Sequence, residues 1–79
     1  IEMNNNESIV ISMIAEHFRL KLDEVEPHMD LFEELNADSL DSVELVLEVE
    51  KRFDVEVDDA EIDAVQTVQD IINLVNNLS

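Results

Sequence analysis

Cysteine and glycine are both missing from this chain of 79 residues. Without cysteine there is neither a disulfide nor a thiolate metal site, so nothing staples the fold covalently, and a reducing, intracellular setting is compatible with the composition. Without glycine, any backbone position that needs a positive φ must use Asn or Asp, the next most tolerant residues. Asn36 is the expected place. The same lack removes the glycine turn of a nucleophile elbow or an oxyanion hole. Basic residues are scarce as well: 4 Lys and Arg stand against 21 Asp and Glu, a formal charge of -17. That excess argues against nucleic acid or an anionic membrane surface as a partner and in favour of basic proteins. Self-repulsion of this size is expected to weaken the fold at low ionic strength, with salt or divalent ions restoring it. No apolar run approaches the ~18 residues of a membrane span, and no basic segment leads into an apolar stretch as in a signal peptide. The expected location is therefore the cytoplasm or an organellar matrix or stroma, with no membrane insertion.

What the chain does have is hydrophobic periodicity. Hydrophobic residues make up 46% of the sequence, and they recur at helical spacing, which a disordered acidic tail would not show. The length fits one domain, residues 1–79, whose thin core removes only about 60% of the surface exposed by the unfolded chain. Residues 1–6 are expected to form a disordered lead, with Ile1-Glu2 an expression remnant ahead of a natural start at Met3. Val10, Met13, Ile14 and Phe18 then mark an amphipathic helix from about 7 to 20. Val43, Val46, Val49 and Phe53 mark a second from Ser39 to about Asp54. A short turn near Asp59 to Ala64 precedes a third long helix, opened by Thr67 and Asp70 as a capping box and carried on by Val68, Ile71, Ile72 and Val75. The fold class is all-α, a small four-helix bundle of three long helices and one short one. The first loop is long, from about Lys21 to Asp38, and Pro27 stops the first helix from running on. Val25, Met29, Leu31, Phe32 and Leu35 supply apolar side chains to pin it. Arg19, Lys21, Lys51 and Arg52 all sit near helix C-termini, where they meet the negative end of the dipole.

Ser39 opens the second helix within Leu35-Asn36-Ala37-Asp38-Ser39-Leu40-Asp41-Ser42-Val43-Glu44-Leu45. A catalytic serine needs a base, and the chain offers only His17 and His28. Nothing in the sequence places either beside Ser39, and each reads as a solvated surface histidine. No catalytic residue is assigned. As an acceptor of a phosphate group Ser39 is well placed, because the unpaired N–H groups and dipole of a helix start favour negative charge. A simpler reading makes Asp38 or Ser39 a cap, with Asp38 and Asp41 paired at i, i+3. At about 100° per residue, Val43, Val46, Val49 and Phe53 share an inward arc with Leu45 at its margin. Leu40, Glu44, Leu47 and Lys51 line an outward strip. Exposed leucines rimmed by Asp38, Asp41, Glu44 and Glu48 have the character of a docking surface for basic partners. Asp54, Glu56 and Asp58 match the first ligands of a calcium loop, yet Asp59 replaces its glycine and Val65 its closing glutamate, so no metal site is assigned.

The stretch Asp38-Ser39-Leu40, set in Asn36 to Leu45, resembles the prosthetic-group site of acyl carrier proteins. The resemblance runs from Phe32-Glu33-Glu34-Leu35 through Phe53 and Thr67-Val68 to the last helix, nearly the whole chain. It is nearest to the freestanding carriers of type II fatty-acid synthesis. It implies that Ser39 receives 4'-phosphopantetheine from coenzyme A through a separate phosphopantetheinyl transferase, and that acyl groups ride as thioesters on the arm's thiol. The chain would be a monomeric carrier and not an enzyme, holding growing acyl chains for fatty-acid biosynthetic enzymes that dock through basic patches. The resemblance assigns docking to Asp38, Leu40, Asp41, Val43, Glu44, Leu47 and Glu50, and an acyl route to Val43, Val46, Val49, Val57, Ile62, Val65 and Ile71. Three positions depart from the family. Asn36 replaces a usual Gly, Lys51 stands at a usually acidic position, and Ile62 replaces a usual Ala, which narrows the acyl route. The alternatives are a peptidyl, polyketide or D-alanyl carrier, or an acidic helical adaptor with no prosthetic group.

Overall fold

The computed structural model describes residues 5–78, with the side chain of residue 78 left out of the description. Four helices follow one another: α1 (Asn5–Phe18), α2 (Ser39–Phe53), α3 (Asp59–Asp63) and α4 (Val68–Leu78), with one 3-10 turn at Leu22–Glu24. No strand occurs among the described residues beyond an isolated antiparallel bridge between Asp30 and Thr67. The expected bundle of three long helices and one short is therefore present. Its shortest extent, 18 Å between Cα atoms, is that of two helix layers at the usual interaxial distance.

The expected lead at 1–6 lies mostly outside the described residues, as does the expected remnant at 1–2. Asn5 and Asn6 already belong to α1, so the helix starts earlier than its apolar stripe. It also ends earlier, at Phe18, because Arg19 turns into the left-handed region at φ 59. The Arg19 N–H then reaches the Glu16 carbonyl at 3.3 Å and the Leu20 N–H the Ala15 carbonyl at 2.8 Å. This double closure normally recruits glycine. Here arginine fills it; Asp54 (φ 54) at the end of α2 and Asn36 (φ 60) before its start are the other described residues with left-handed backbone. Only Asn36 was expected.

Val10, Ile14, Leu31, Val46, Val49, Val68 and Ile71 have no solvent exposure and form the centre of the core. The first loop belongs to that core: Leu31 and Val25 are buried, and Met29, Phe32 and Leu35 pack against it. Its backbone is stitched to the start of α4. Val68 donates to the Met29 carbonyl at 3.0 Å, Gln69 to Pro27 at 2.8 Å, and Leu31 to Gln66 at 2.9 Å. Thr67 and Asp70 complete the expected capping box, with the Asp70 N–H on Thr67 Oγ1 at 3.1 Å and the Thr67 N–H on Asp70 Oδ2 at 3.0 Å. The donors that a helix start leaves unpaired are thus satisfied at α4.

Candidate functional site

The start of α2 is built differently. Asp38 caps it with extended backbone, accepting the Asp41 N–H at Oδ1 (2.9 Å), while Asp41 Oδ2 accepts the Asp38 N–H at 3.0 Å. The Ser42 N–H donates to the Asp38 carbonyl at 3.2 Å. Among the described residues, the N–H groups of Ser39 and Leu40 meet no partner, and neither does the Ser39 hydroxyl. Ser39 is exposed. An exposed, unengaged hydroxyl thus lies beside two open N–H donors at the positive end of a helix of 15 residues, an arrangement suited to a phosphate ester. Asp38 and Asp41 do not block it, because their carboxylates are turned onto N–H groups.

His17 is not the solvated histidine expected from sequence. Its side chain is only 23% exposed and its Nε2 lies 2.8 Å from Asp41 Oδ1 and 3.9 Å from Glu44 Oε1. The ring also meets the edge of Phe18, with centroids 4.8 Å apart. It sits one turn beyond Met13, on the rim of the buried stripe, and extending that stripe by four residues would have found it. The His17 hydrogen bond is the main reason that the Asp41 carboxyl stays below the usual carboxylate range, and the Asp38 N–H adds to it. No hydrogen bond joins His17 to Ser39 among the described residues, so Ser39 has no base there. His28, by contrast, is exposed and pairs with Glu26 at 2.9 Å.

The outward strip of α2 is present and takes in Val43, while Leu45 lies well inside the inward arc and not at its margin. Leu40 is 69% exposed and Leu47 47%, as expected, but Val43 is 39% exposed and Leu45 only 1%. The cause is Ser42. At about 100° per residue Ser42 lies in the middle of the arc formed by Leu45, Val46, Val49 and Phe53. It is buried, with its hydroxyl donating to the Ser39 carbonyl at 3.0 Å. Treating that serine as polar rotates the inferred face towards Val43 and away from Leu45. Val43 therefore belongs with the exposed strip and not with the interior. Asp38 and Glu44 are exposed and Asp41 partly so. Glu50 is half-buried and its Oε2 accepts the Val57 N–H at 2.8 Å, so it braces the turn after α2. Arg52 links α2 to itself and to α1, with Nε 2.8 Å from Glu48 and a terminal nitrogen 3.8 Å from Glu16.

Of the residues expected along an acyl route, Val46, Val49, Val57, Val65 and Ile71 are buried in the common core and Ile62 is half-buried against it. Their surfaces are already occupied by one another and by neighbouring side chains, and a guest chain would have to part those contacts. The Asp54, Glu56 and Asp58 series does not form a metal cluster among the described residues, and Asp54 serves as the left-handed end of α2.

Comparison with known proteins gives these features a common origin. A family model described as "Phosphopantetheine attachment site" matches residues 8–75. The acyl carrier protein of the cyanobacterium Thermosynechococcus vestitus is 40% identical over 77 residues, covering 95% of each chain. That of Buchnera aphidicola is 35% identical over 75 residues, again with 95% of each covered. The solved acyl carrier protein of Enterococcus faecalis superposes with a TM-score of 0.80 at 29% identity, covering 95% of both chains. No described helix is long and apolar enough to cross a membrane. The chain belongs to the acyl carrier proteins, phosphopantetheine-bearing carriers and not enzymes.

Proposed function

We propose that this protein carries growing acyl chains for fatty-acid biosynthesis as thioesters on 4'-phosphopantetheine attached to Ser39. The observation that carries the reading is the open start of α2, with the exposed Ser39 hydroxyl beside the unpaired N–H groups of Ser39 and Leu40. When bound, the arm supplies the thiol that a chain without cysteine does not have. The residues of the chain hold and present it. The helix dipole and the open N–H groups favour the phosphodiester, while the carboxylates of Asp38 and Asp41 are kept on backbone donors. The base that activates Ser39 and the metal that balances the phosphate then belong to the phosphopantetheinyl transferase.

Docking falls to the face made by Asp38, Leu40, Asp41, Val43, Glu44 and Leu47. Exposed apolar side chains there are ringed by acids, in a chain of net charge -17. Such a field raises encounter rates with basic patches on the transferase and the fatty-acid enzymes, yet permits release. The monomer works in the cytoplasm or an organellar matrix. The acyl chain enters between the helices by parting Val46, Val49, Val57, Val65 and Ile71, with Ile62 limiting its length. Incubation with a transferase and coenzyme A tests the attachment: a gain of ~340 Da on Ser39 is expected, and none on Ser39→Ala. A gain that survives Ser39→Ala refutes the site. Loading of the product by a fatty-acid synthase extract tests the pathway, since a peptidyl, polyketide or D-alanyl carrier would gain the arm but no fatty acyl group.

A further inference from the structure

We propose that His17, Asp41 and Glu44 form a site for a single transition-metal dication of the Zn²⁺ type, clamped between α1 and α2. Their ligand atoms come from two helices and all lie within 4.8 Å of one another. His17 Nε2 is 2.8 Å from Asp41 Oδ1 and 3.9 Å from Glu44 Oε1. A tetrahedral ion with bonds of about 2.0–2.1 Å separates its ligands by roughly 3.3 Å, a value between those two distances. Seating the ion requires the first pair to open and the second to close by about half an ångström each, and the Asp41 and Glu44 oxygens, within 4.8 Å of each other, to come to the same spacing. Glu44 can supply the movement, because its side chain is 63% exposed.

The surroundings suit an ion as well. Asp41 Oδ2 receives the Asp38 N–H, which orients the carboxylate from behind as an outer-shell partner does. The contact with Phe18 holds the imidazole. A groove of about 310 Å³ between α1 and α2, lined by Met13, Glu16, Leu45 and Glu48 as well as His17 and Glu44, leaves a coordination position open to water. Two carboxylates and a neutral imidazole offset a dication, and Nε2 binds through its lone pair once its proton resides on Nδ1. An imidazole ligand favours Zn²⁺, Co²⁺ or Ni²⁺ over Mg²⁺ and Ca²⁺, which separates this site from loose cation association with the acidic surface.

The site does not depend on the carrier reading. Its consequence does, since an ion on Asp41 and Glu44 would remove negative charge from the proposed docking face close to Ser39. Zn²⁺ titration of the full chain by calorimetry, in a large excess of Mg²⁺, decides the matter. One equivalent is expected to bind, with the His17 imidazole resonances shifted and the melting temperature raised. His17→Gln and Glu44→Gln are each expected to weaken binding at least about tenfold and to lose the thermal shift, while His28→Gln changes neither. Should His17→Gln fold poorly, Glu44→Gln decides alone, because an exposed carboxylate with no backbone partner can be neutralised without unfolding the chain. Zn²⁺ binding unchanged in Glu44→Gln, equally weakened by His28→Gln, or abolished by the Mg²⁺ excess overturns the proposal.

Discussion

Leu45 and Leu47 lie two positions apart on α2 and face opposite ways, at 1% and 47% exposure. Leu45→Ala removes the branch beyond Cβ from a place without solvent access, so the lost transfer free energy and the cavity left behind add up. The combined destabilisation is about 2.7–5 kcal/mol. For a domain of this size each kcal/mol moves Tm by about 4–8 °C, so Leu45→Ala is expected to melt more than about 10 °C below the parent. Leu47→Ala leaves no cavity and replaces one good helix former with a better one; its stability should stay within about 0.5 kcal/mol. In partner engagement the order reverses. An apolar anchor at the centre of a docking face contributes about 1 kcal/mol or more, so Leu47→Ala should lower kcat/KM for transfer of the arm roughly fivefold or more at unchanged Tm. Thermal melting by circular dichroism and transferase kinetics on the two variants supply both readings. If Leu47→Ala melts as early as Leu45→Ala, or is loaded at the parent rate, the assignment of faces on α2 is wrong.

Asp54 combines a left-handed backbone (φ 54) with a negative charge at the C-terminus of α2. Asp54→Asn keeps a side chain that tolerates this conformation and removes a charge unfavourable there by about 0.3–1 kcal/mol. Its Tm should rise by a few degrees, the gain shrinking as salt is added. Asp54→Ala loses the same charge but meets the left-handed penalty of about 1–2 kcal/mol, so it should melt below Asp54→Asn, and the opposite order counts against the argument. Asp30 gives a pH dependence. Its carboxylate accepts the Glu33 N–H (2.9 Å), the Gln66 side-chain N–H (2.8 Å) and the Phe32 N–H (2.8 Å), the first being the largest cause of a pKa below the ordinary value. A depressed folded pKa means that this stabilisation is complete above the ordinary carboxylate range and is lost as pH falls through the folded value. The Tm gap between the parent and Asp30→Asn should therefore be widest near neutrality and close in acid; a gap that stays constant would remove the charge from the explanation.

Elements with strong local signals were legible in the sequence. The three long helices follow from apolar spacing, and both capping boxes, Asp38 with Asp41 and Thr67 with Asp70, follow from pairs at i, i+3. Asn36 was found because a chain without glycine must place its positive φ on a tolerant residue. The misreadings came where tertiary contacts override local chemistry. Arg19 takes a left-handed backbone that its residue type disfavours, since two hydrogen bonds close the end of α1 around it. Ser42 is buried because the Ser39 carbonyl satisfies its hydroxyl, and reading that one residue as polar put Val43 on the inward face and Leu45 only at its margin. His17 became a linking residue only through Asp41, 24 positions away, and Glu50 became a brace through Val57. Periodicity can place His17 on the rim of the buried stripe, but partners this far along the chain leave no periodic trace.

The first loop also determines which helix start remains available. α2 and α4 carry similar capping boxes, and at both the side chain of the cap takes the N–H three residues on. At α4 the carbonyls of Pro27 and Met29 take the N–H groups of Gln69 and Val68, and Gln66 reaches Asp30, so that end is closed by backbone. At α2 the chain arrives through Ala37, buried and donating to the Leu31 carbonyl at 2.9 Å, then leaves Ser39 and Leu40 uncovered. Leu31, with no exposure, links the two ends: its N–H donates to the Gln66 carbonyl beside α4 and its carbonyl accepts the Ala37 N–H beside α2. A loop long enough to look unstructured thus ties the opening of α2 to the closing of α4, and its length is what lets one residue reach both.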